Sequence, residues 1–226
     1  MSAPKPPWLM KDLSLAVFYL VSTKRARPLV PESMSIIEVA PGYTLGALYA
    51  SRHRVGEISE TSEFGALPAY VRHEGRKGFY LDCLHSHGKG PQGASGPASL
   101  AWEVTPKKIA LQVVSGRSTV IKLRARPLVS SLPLSLSIAF LCVKGESVVF
   151  FKNIMTQSLG LATSSVSIPK DSPIYPLPFG MKLMTAFWDA SNVVVKEPEY
   201  ATETVMKRAE KAFGSSIGKG PGVPCR

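Results

Sequence analysis

The 226 residues carry 27 Lys and Arg against 16 Asp and Glu, a formal net charge of +11, and 45% of them are apolar. That apolar share excludes a globally disordered chain, and the length suits one domain with a core of its own. The charge favours anionic partners without choosing among acidic small molecules, membrane surfaces and nucleic acid.

Residues 1–7 are Pro-rich and read as a loose tail. The first long apolar run, Leu13 to Val21, is too short to span a bilayer. Asp12 opens it, Lys24, Arg25 and Arg27 follow it, and no small-residue cleavage site is present, so it reads as a first strand rather than a secretion signal. Pro41-Gly42 then marks a turn between two short apolar runs, and "EFGALPAYVRHEGRKGFYLDCL" reads as a hairpin with its loop near His73 to Lys77. Residues 86–98, "SHGKGPQGASGPA", hold neither helix nor strand pattern. With almost no apolar side chains to bury, this stretch is expected to be a poorly ordered loop.

Strands resume with the alternating Ile109, Leu111 and Val113. "STVIKLRARP" follows the Gly116 turn, and "LSIAFLCV-KGES-VVFFKN" is a hairpin pattern around Gly145. The four prolines between Ile168 and Gly180 demand a loop or edge, and "AFWDASNVVVKEP" gives one more strand. Pro198 suits the first turn of a helix in which Val205, Met206, Ala209, Ala212 and Phe213 share a face, with Gly214 as its stop. Residues 215–226 read as a flexible tail. The whole, residues 1–226, is predicted to be a single mainly β (α+β) domain, an antiparallel β-barrel with few helices and one near the C-terminus. The hexapeptide "RARPLV" occurs at 25–30 and at 124–129, but unmatched flanks argue against a duplicated domain.

Three groups of residues could carry chemistry. Cys83, His85 and His87 alternate and would share a strand face, a spacing compatible with a metal but favouring a plain strand end. Lys122, Arg124 and Arg126 alternate with Ile121, Leu123 and Ala125. They form a basic stripe that reads first as a solvated face and second as a site for a carboxylate, phosphate or pyrophosphate. No aromatic side chains interleave with it, which gives no support to specific nucleic-acid binding. Lys107 and Lys108 follow Pro106 at the start of a strand. No Walker, Rossmann, zinc-ribbon or nucleophile-elbow pattern is present, and no cofactor is expected. The widely spaced Cys83, Cys142 and Cys225 suggest no disulfide framework, hence a reducing compartment, cytoplasmic or the interior of an organelle.

"YTLGALYASR", "ISETSEFGALPAYVR" and "GRKGFYLD" resemble the acetoacetate decarboxylase-like family. So do "WEVTPKKIALQVVSG", "VIKLRARP", "LPLSLSIAFL", "VVFFKN", "SLGLATSSVSIP", "SPIYPLPFGMKLMTAFW" and "VVVKEP", a likeness running from about residue 8 to 198 and nearest to the photosynthetic branch. The resemblance implies a β-barrel or cone with a central cavity. It also implies chemistry in which a desolvated lysine forms a Schiff base with a β-keto acid that then loses carbon dioxide. By this likeness the catalytic residues are Lys107 as nucleophile, Lys108 as its cationic neighbour and Glu63 as the acidic partner, Thr61 standing where the family has tyrosine. A second alignment, anchored on Trp102, puts the family's proline at Pro97 and its lysine at Ala98, which leaves no nucleophile. Two functions therefore stay open: a decarboxylase or related lyase, and a non-catalytic ligand-binding or accessory barrel in lipid or pigment metabolism. Either would take a small acidic or apolar ligand, without a transmembrane segment, and either is compatible with homo-oligomers.

Overall fold

A computed structural model describes residues 8–55, 59–87, 98–144, 147–175, 177, 179–195 and 199–200. In chain order β1 (Trp8–Ser22) is followed by α1 (Thr23–Ala26), which passes into a 3-10 turn at Arg27–Leu29. Next come β2 (Ser35–Ile36), β3 (Tyr43–Val55), β4 (Ser59–Leu67), β5 (Ala69–His73), β6 (Arg76–Tyr80) and β7 (Cys83–His87). Then follow β8 (Ala98–Thr105), β9 (Lys108–Ser115), β10 (Ser118–Lys144), β11 (Ser147–Ser167), β12 (Met181–Val195) and β13 (Glu199–Tyr200). The β5–β6 hairpin turns on Glu74 and Gly75, both at positive φ (46° and 80°), as a two-residue hairpin with the right-handed strand twist requires.

The main path of the sheet runs β2-β5-β6-β10-β11-β12-β1-β3-β4-β7, with β9 and β8 added on the free side of the first part of β10. All pairings are antiparallel except β6 with β10. The path curls until β3 meets β5. There the buried Thr44 hydroxyl accepts the Tyr70 N–H at 3.2 Å and reaches the Tyr70 carbonyl at 3.3 Å. Strands that are not neighbours in the sheet touch across the inside of this ring. Phe18 of β1 meets Phe79 of β6 with centroids 6.1 Å apart, and Tyr49 of β3 meets Phe140 of β10 at 5.5 Å. Phe151 stacks on Phe140, and Tyr70 meets Phe79 edge-on, so aromatic rings fill the middle of the ring.

The other face of the same strands carries a second, larger core. Leu15 and Val17 of β1, Leu48 of β3 and Phe64 of β4 pack there with Leu111 of β9 and with Ile121 and Leu123 of β10. Ala26 joins it from α1, Val30 and Met34 from the loop that follows, and Ile174 and Leu177 from the Pro-rich loop, where the Ser172 hydroxyl donates to the Val120 carbonyl at 2.7 Å. β1 and β3 thus lie between two cores, which is why "LAVFYLV" carries apolar residues on both faces. A two-sided apolar strand is the pattern expected where both sheet faces are covered.

Several expectations hold: the first strand, the Pro41-Gly42 turn, a hairpin turning near His73 to Lys77, though shorter than expected because Glu63 to Leu67 belong to β4, the loop at 168–180 and the mainly antiparallel barrel. Others change. β10 does not end at Pro127 but continues for 27 residues through Pro127 and Pro133. Register shifts between Pro127 and Val129, and between Val129 and Leu132, make room for residues that cannot donate to the ladder. Ser86 and His87 belong to β7 and Ala98 to β8, while 88–97 lie outside the described residues. Glu199 and Tyr200 form β13 rather than the start of a helix; the rest of that predicted helix and both predicted tails lie outside the described residues. The described helix is α1, and it contains part of the first "RARPLV"; the second copy is strand, so the repeated letters are not a repeated unit.

Candidate functional site

At one end of the ring a single register row crosses four strands. Trp188 of β12 lies opposite Ser14 of β1, Ser14 opposite Ser51 of β3, and Ser51 opposite Glu63 of β4. Paired residues in adjacent strands share a face, so the row looks into the ring with Tyr49 and His53, which alternate with the outward Leu48 and Ala50. Ser14 and Ser51 are fully buried and His53 nearly so. The Ser14 and Tyr49 hydroxyls are 3.0 Å apart, the Ser51 hydroxyl is 2.8 Å from His53 Nε2, and that nitrogen is 3.8 Å from Glu63 Oε2. Trp188 Nε1 is buried with no hydrogen-bond acceptor among the described residues.

Among the described side chains Ser51 and Glu63 both address His53 Nε2, and this imidazole and carboxylate are sheltered from solvent, an arrangement suited to acid–base work. The Glu63 side chain is 12% exposed, and Glu63 sits in the middle of β4. His53 had no assigned partner in the sequence. Its link to Glu63 depends on the β3–β4 register, which becomes readable only when both runs are seen as paired strands. His73, the other unassigned histidine, places Nδ1 2.9 Å from the Ser33 carbonyl.

The paired lysines lie elsewhere. Pro106 and Lys107 form the exposed turn of the β8–β9 hairpin, and Lys108 begins β9 with its amine 2.7 Å from Glu103. Lys107 is solvent-exposed and the Lys108 side chain is 43% exposed, so the desolvation that makes an amine nucleophilic is absent at both. The structure does not bring Lys107 or Lys108 to Glu63: they stand on the hairpin outside the ring, while Glu63 pairs with His53 within it. Cys83, His85 and His87 all fall in β7, but their side chains lie outside the described residues; among the described residues no three potential metal ligands cluster.

The other end of the ring opens into a cavity of about 520 Å³. Phe18, Leu45, Tyr70, Phe79 and Ile138 give it apolar walls, and Lys77 and Lys152 stand at its edge. Lys77 is exposed and Lys152 half-buried. Between the cavity and the polar row, in the ring interior, lies the Tyr49–Phe140–Phe151 ring cluster, whose Tyr49 hydroxyl belongs to that row.

A nearly closed antiparallel ring with an aromatic interior and a polar, acid–base end is thus the class of protein that these strands build. The chain has the acetoacetate decarboxylase-like fold. It superposes on an acetoacetate decarboxylase from Legionella pneumophila with a TM-score of 0.63 at 13% identity, over 89% of this chain and 92% of that one. A second acetoacetate decarboxylase structure gives 0.63 at 13% identity, over 87% and 90%. The enduracididine biosynthesis enzyme MppR, complexed with pyruvate, gives 0.60 at 12% identity, over 88% and 91%. No protein-family model and no curated protein matches the sequence. Among the described residues no helix is long and apolar enough to cross a membrane.

Proposed function

We propose that the protein is a binding barrel for a small amphipathic carboxylate, of the size and kind of a keto acid with an apolar tail. The observation that carries this reading is the cavity at the open end of the ring. Its aromatic and aliphatic walls suit an apolar body, and Lys77 and Lys152 at its edge suit a carboxylate. The fold is shared with a protein whose structure holds pyruvate, which supports the same ligand class. Schiff-base chemistry at Lys107 is not part of this reading, because that amine is solvated.

The test is calorimetric titration with acetoacetate and with a medium-chain 3-keto acid, followed by borohydride reduction and mass spectrometry. Saturable binding, tighter for the longer acid and weakened by Lys77→Ala with Lys152→Ala, is the expected result, with no adduct on Lys107. Absence of binding overturns the proposal. A reduced adduct on Lys107 that Lys107→Met removes would restore the decarboxylase mechanism read from the sequence.

One observation favours a catalytic variant of the same reading. The His53–Glu63 pair is buried in the ring interior and can exchange a proton with a bound keto acid that reaches it. Carbon dioxide release from a 3-keto acid, lost in both His53→Gln and Glu63→Gln while ligand binding persists, would mark it as an enzyme that uses this pair.

A further inference from the structure

β10 continues well beyond the ring, and its first part carries a charged face that the ring interior does not use. Lys122, Arg124 and Arg126 are exposed on this face, while Ile121, Leu123 and Ala125 between them are buried in the larger core and fix the strand. On one side, β9 sets Gln112 opposite Lys122 and Ala110 opposite Arg124. On the other, β11 sets Ser167 opposite Lys122, Ser165 opposite Arg124 and Thr163 opposite Arg126, so each cation has a hydroxyl as its cross-strand neighbour. Ala110 and Ala101 leave a hollow between the strands, a cleft of about 230 Å³ bordered by Lys108, Gln112, Lys122 and Arg124. Its one bordering carboxylate, Glu103, is held by Lys108 at 2.7 Å, which leaves Lys122 and Arg124 as the cations facing the hollow.

From this arrangement we infer that the β8–β9–β10 cleft is a binding site for a diphosphate group. Lys122 and Arg124 stand two residues apart on one strand face, about 6.7 Å, which places one cation against each of two linked phosphoryl groups. Arg124 supplies the planar fork suited to phosphoryl oxygens, and Gln112, opposite Lys122, supplies a neutral donor on the cleft side. The alanine floor lets the group sit against the sheet instead of at the tips of long side chains. The shared chemistry is the diphosphate; inorganic diphosphate, a nucleoside diphosphate and a prenyl diphosphate all present it. The site stands outside the ring and does not depend on what the ring binds.

Calorimetric titration of the full chain at physiological salt tests this with inorganic diphosphate, ADP and a prenyl diphosphate as separate arms. Saturable binding of inorganic diphosphate, weakened roughly tenfold or more by Lys122→Ala with Arg124→Ala, is the expected result. Tighter binding of ADP or of the prenyl compound also supports the site and assigns the source of the group. Because both side chains are exposed, the double variant should keep the wild-type unfolding temperature, so a loss of binding would not reflect a loss of fold. No saturable binding of inorganic diphosphate, undiminished binding in the double variant, or binding of an oligonucleotide alone overturns the inference.

Discussion

Burial pushes the phenols of Tyr19 and Tyr80 up to about 12 from the usual 10, and at Tyr80 the nearby Asp82 and Cys142 act in the same direction. Both groups keep their proton in the folded chain at a pH where the unfolded chain has lost it. Between about pH 10 and 12 the folded state therefore binds more protons than the unfolded state, and stability falls as pH rises. Below pH 10 the contribution is present in full. Urea unfolding followed across this window should show the loss, and Tyr19→Phe with Tyr80→Phe should flatten it; an unchanged slope in the double variant would refute the assignment. At this scale the sequence was partly legible. Glu63 could be placed by family likeness, but His53 could not, because a histidine two residues along a strand from a serine acquires meaning only from the strand opposite. The paired lysines were ambiguous in the sequence for a related reason. A proline followed by two lysines is as good a start for an exposed hairpin turn as it is for a reactive amine, and burial decides between them.

The ring closes on side-chain chemistry where its backbone ladder stops. Thr44 is fully buried and serves both the N–H and the carbonyl of Tyr70, joining two strands that share no backbone ladder. Thr44→Val keeps the shape of the side chain but leaves the Tyr70 amide without that acceptor, at a cost of about 1–3 kcal/mol. Denaturant titration should show that loss, and the Tyr70 amide should exchange with solvent faster than its neighbours in β5. Thr44→Ser should restore most of both. Elements were legible where alternation or a turn dipeptide was strong, as at Ile109 to Val113 and at Glu74-Gly75. They were not legible where the barrel overrode local signals. "RARPLV" shows this within one chain: from Arg25 it passes from helix into a 3-10 turn, and from Arg124 it lies in strand β10. Six residues with two prolyl copies carry no structural preference strong enough to resist their neighbours, so the pairing partners decide. The same holds at Pro127, where the sequence pattern ends a strand; it and Pro133 are tolerated in a long strand with irregular register.

Across the whole molecule, the order in which the strands pair differs from the order in which they are made. β1 has β3 on one side and β12 on the other, so Leu15 lies beside both Ala50 and Phe187. During synthesis the hairpin partners β3 and β4 emerge soon after β1, but β12, which begins at Met181, emerges long after them. Until then one edge of β1, with Leu15, Val17 and Val21 on one face and Ala16 on the other, has no strand to cover it. Pairings between such distant segments are slow to form, and an uncovered apolar edge invites association with other chains. A chain ended at residue 180 should therefore fail to give the native circular dichroism spectrum and should elute as aggregates, whereas one ended at residue 197 should be monodisperse or form defined oligomers. A folded, monomeric 1–180 fragment would show that β12 is dispensable. Nascent chains held on the ribosome should become protease-resistant only after residue 195 has cleared the exit tunnel. The protein would then depend on chaperone protection until β12 is made, a cost set by the length of chain between β1 and its second partner.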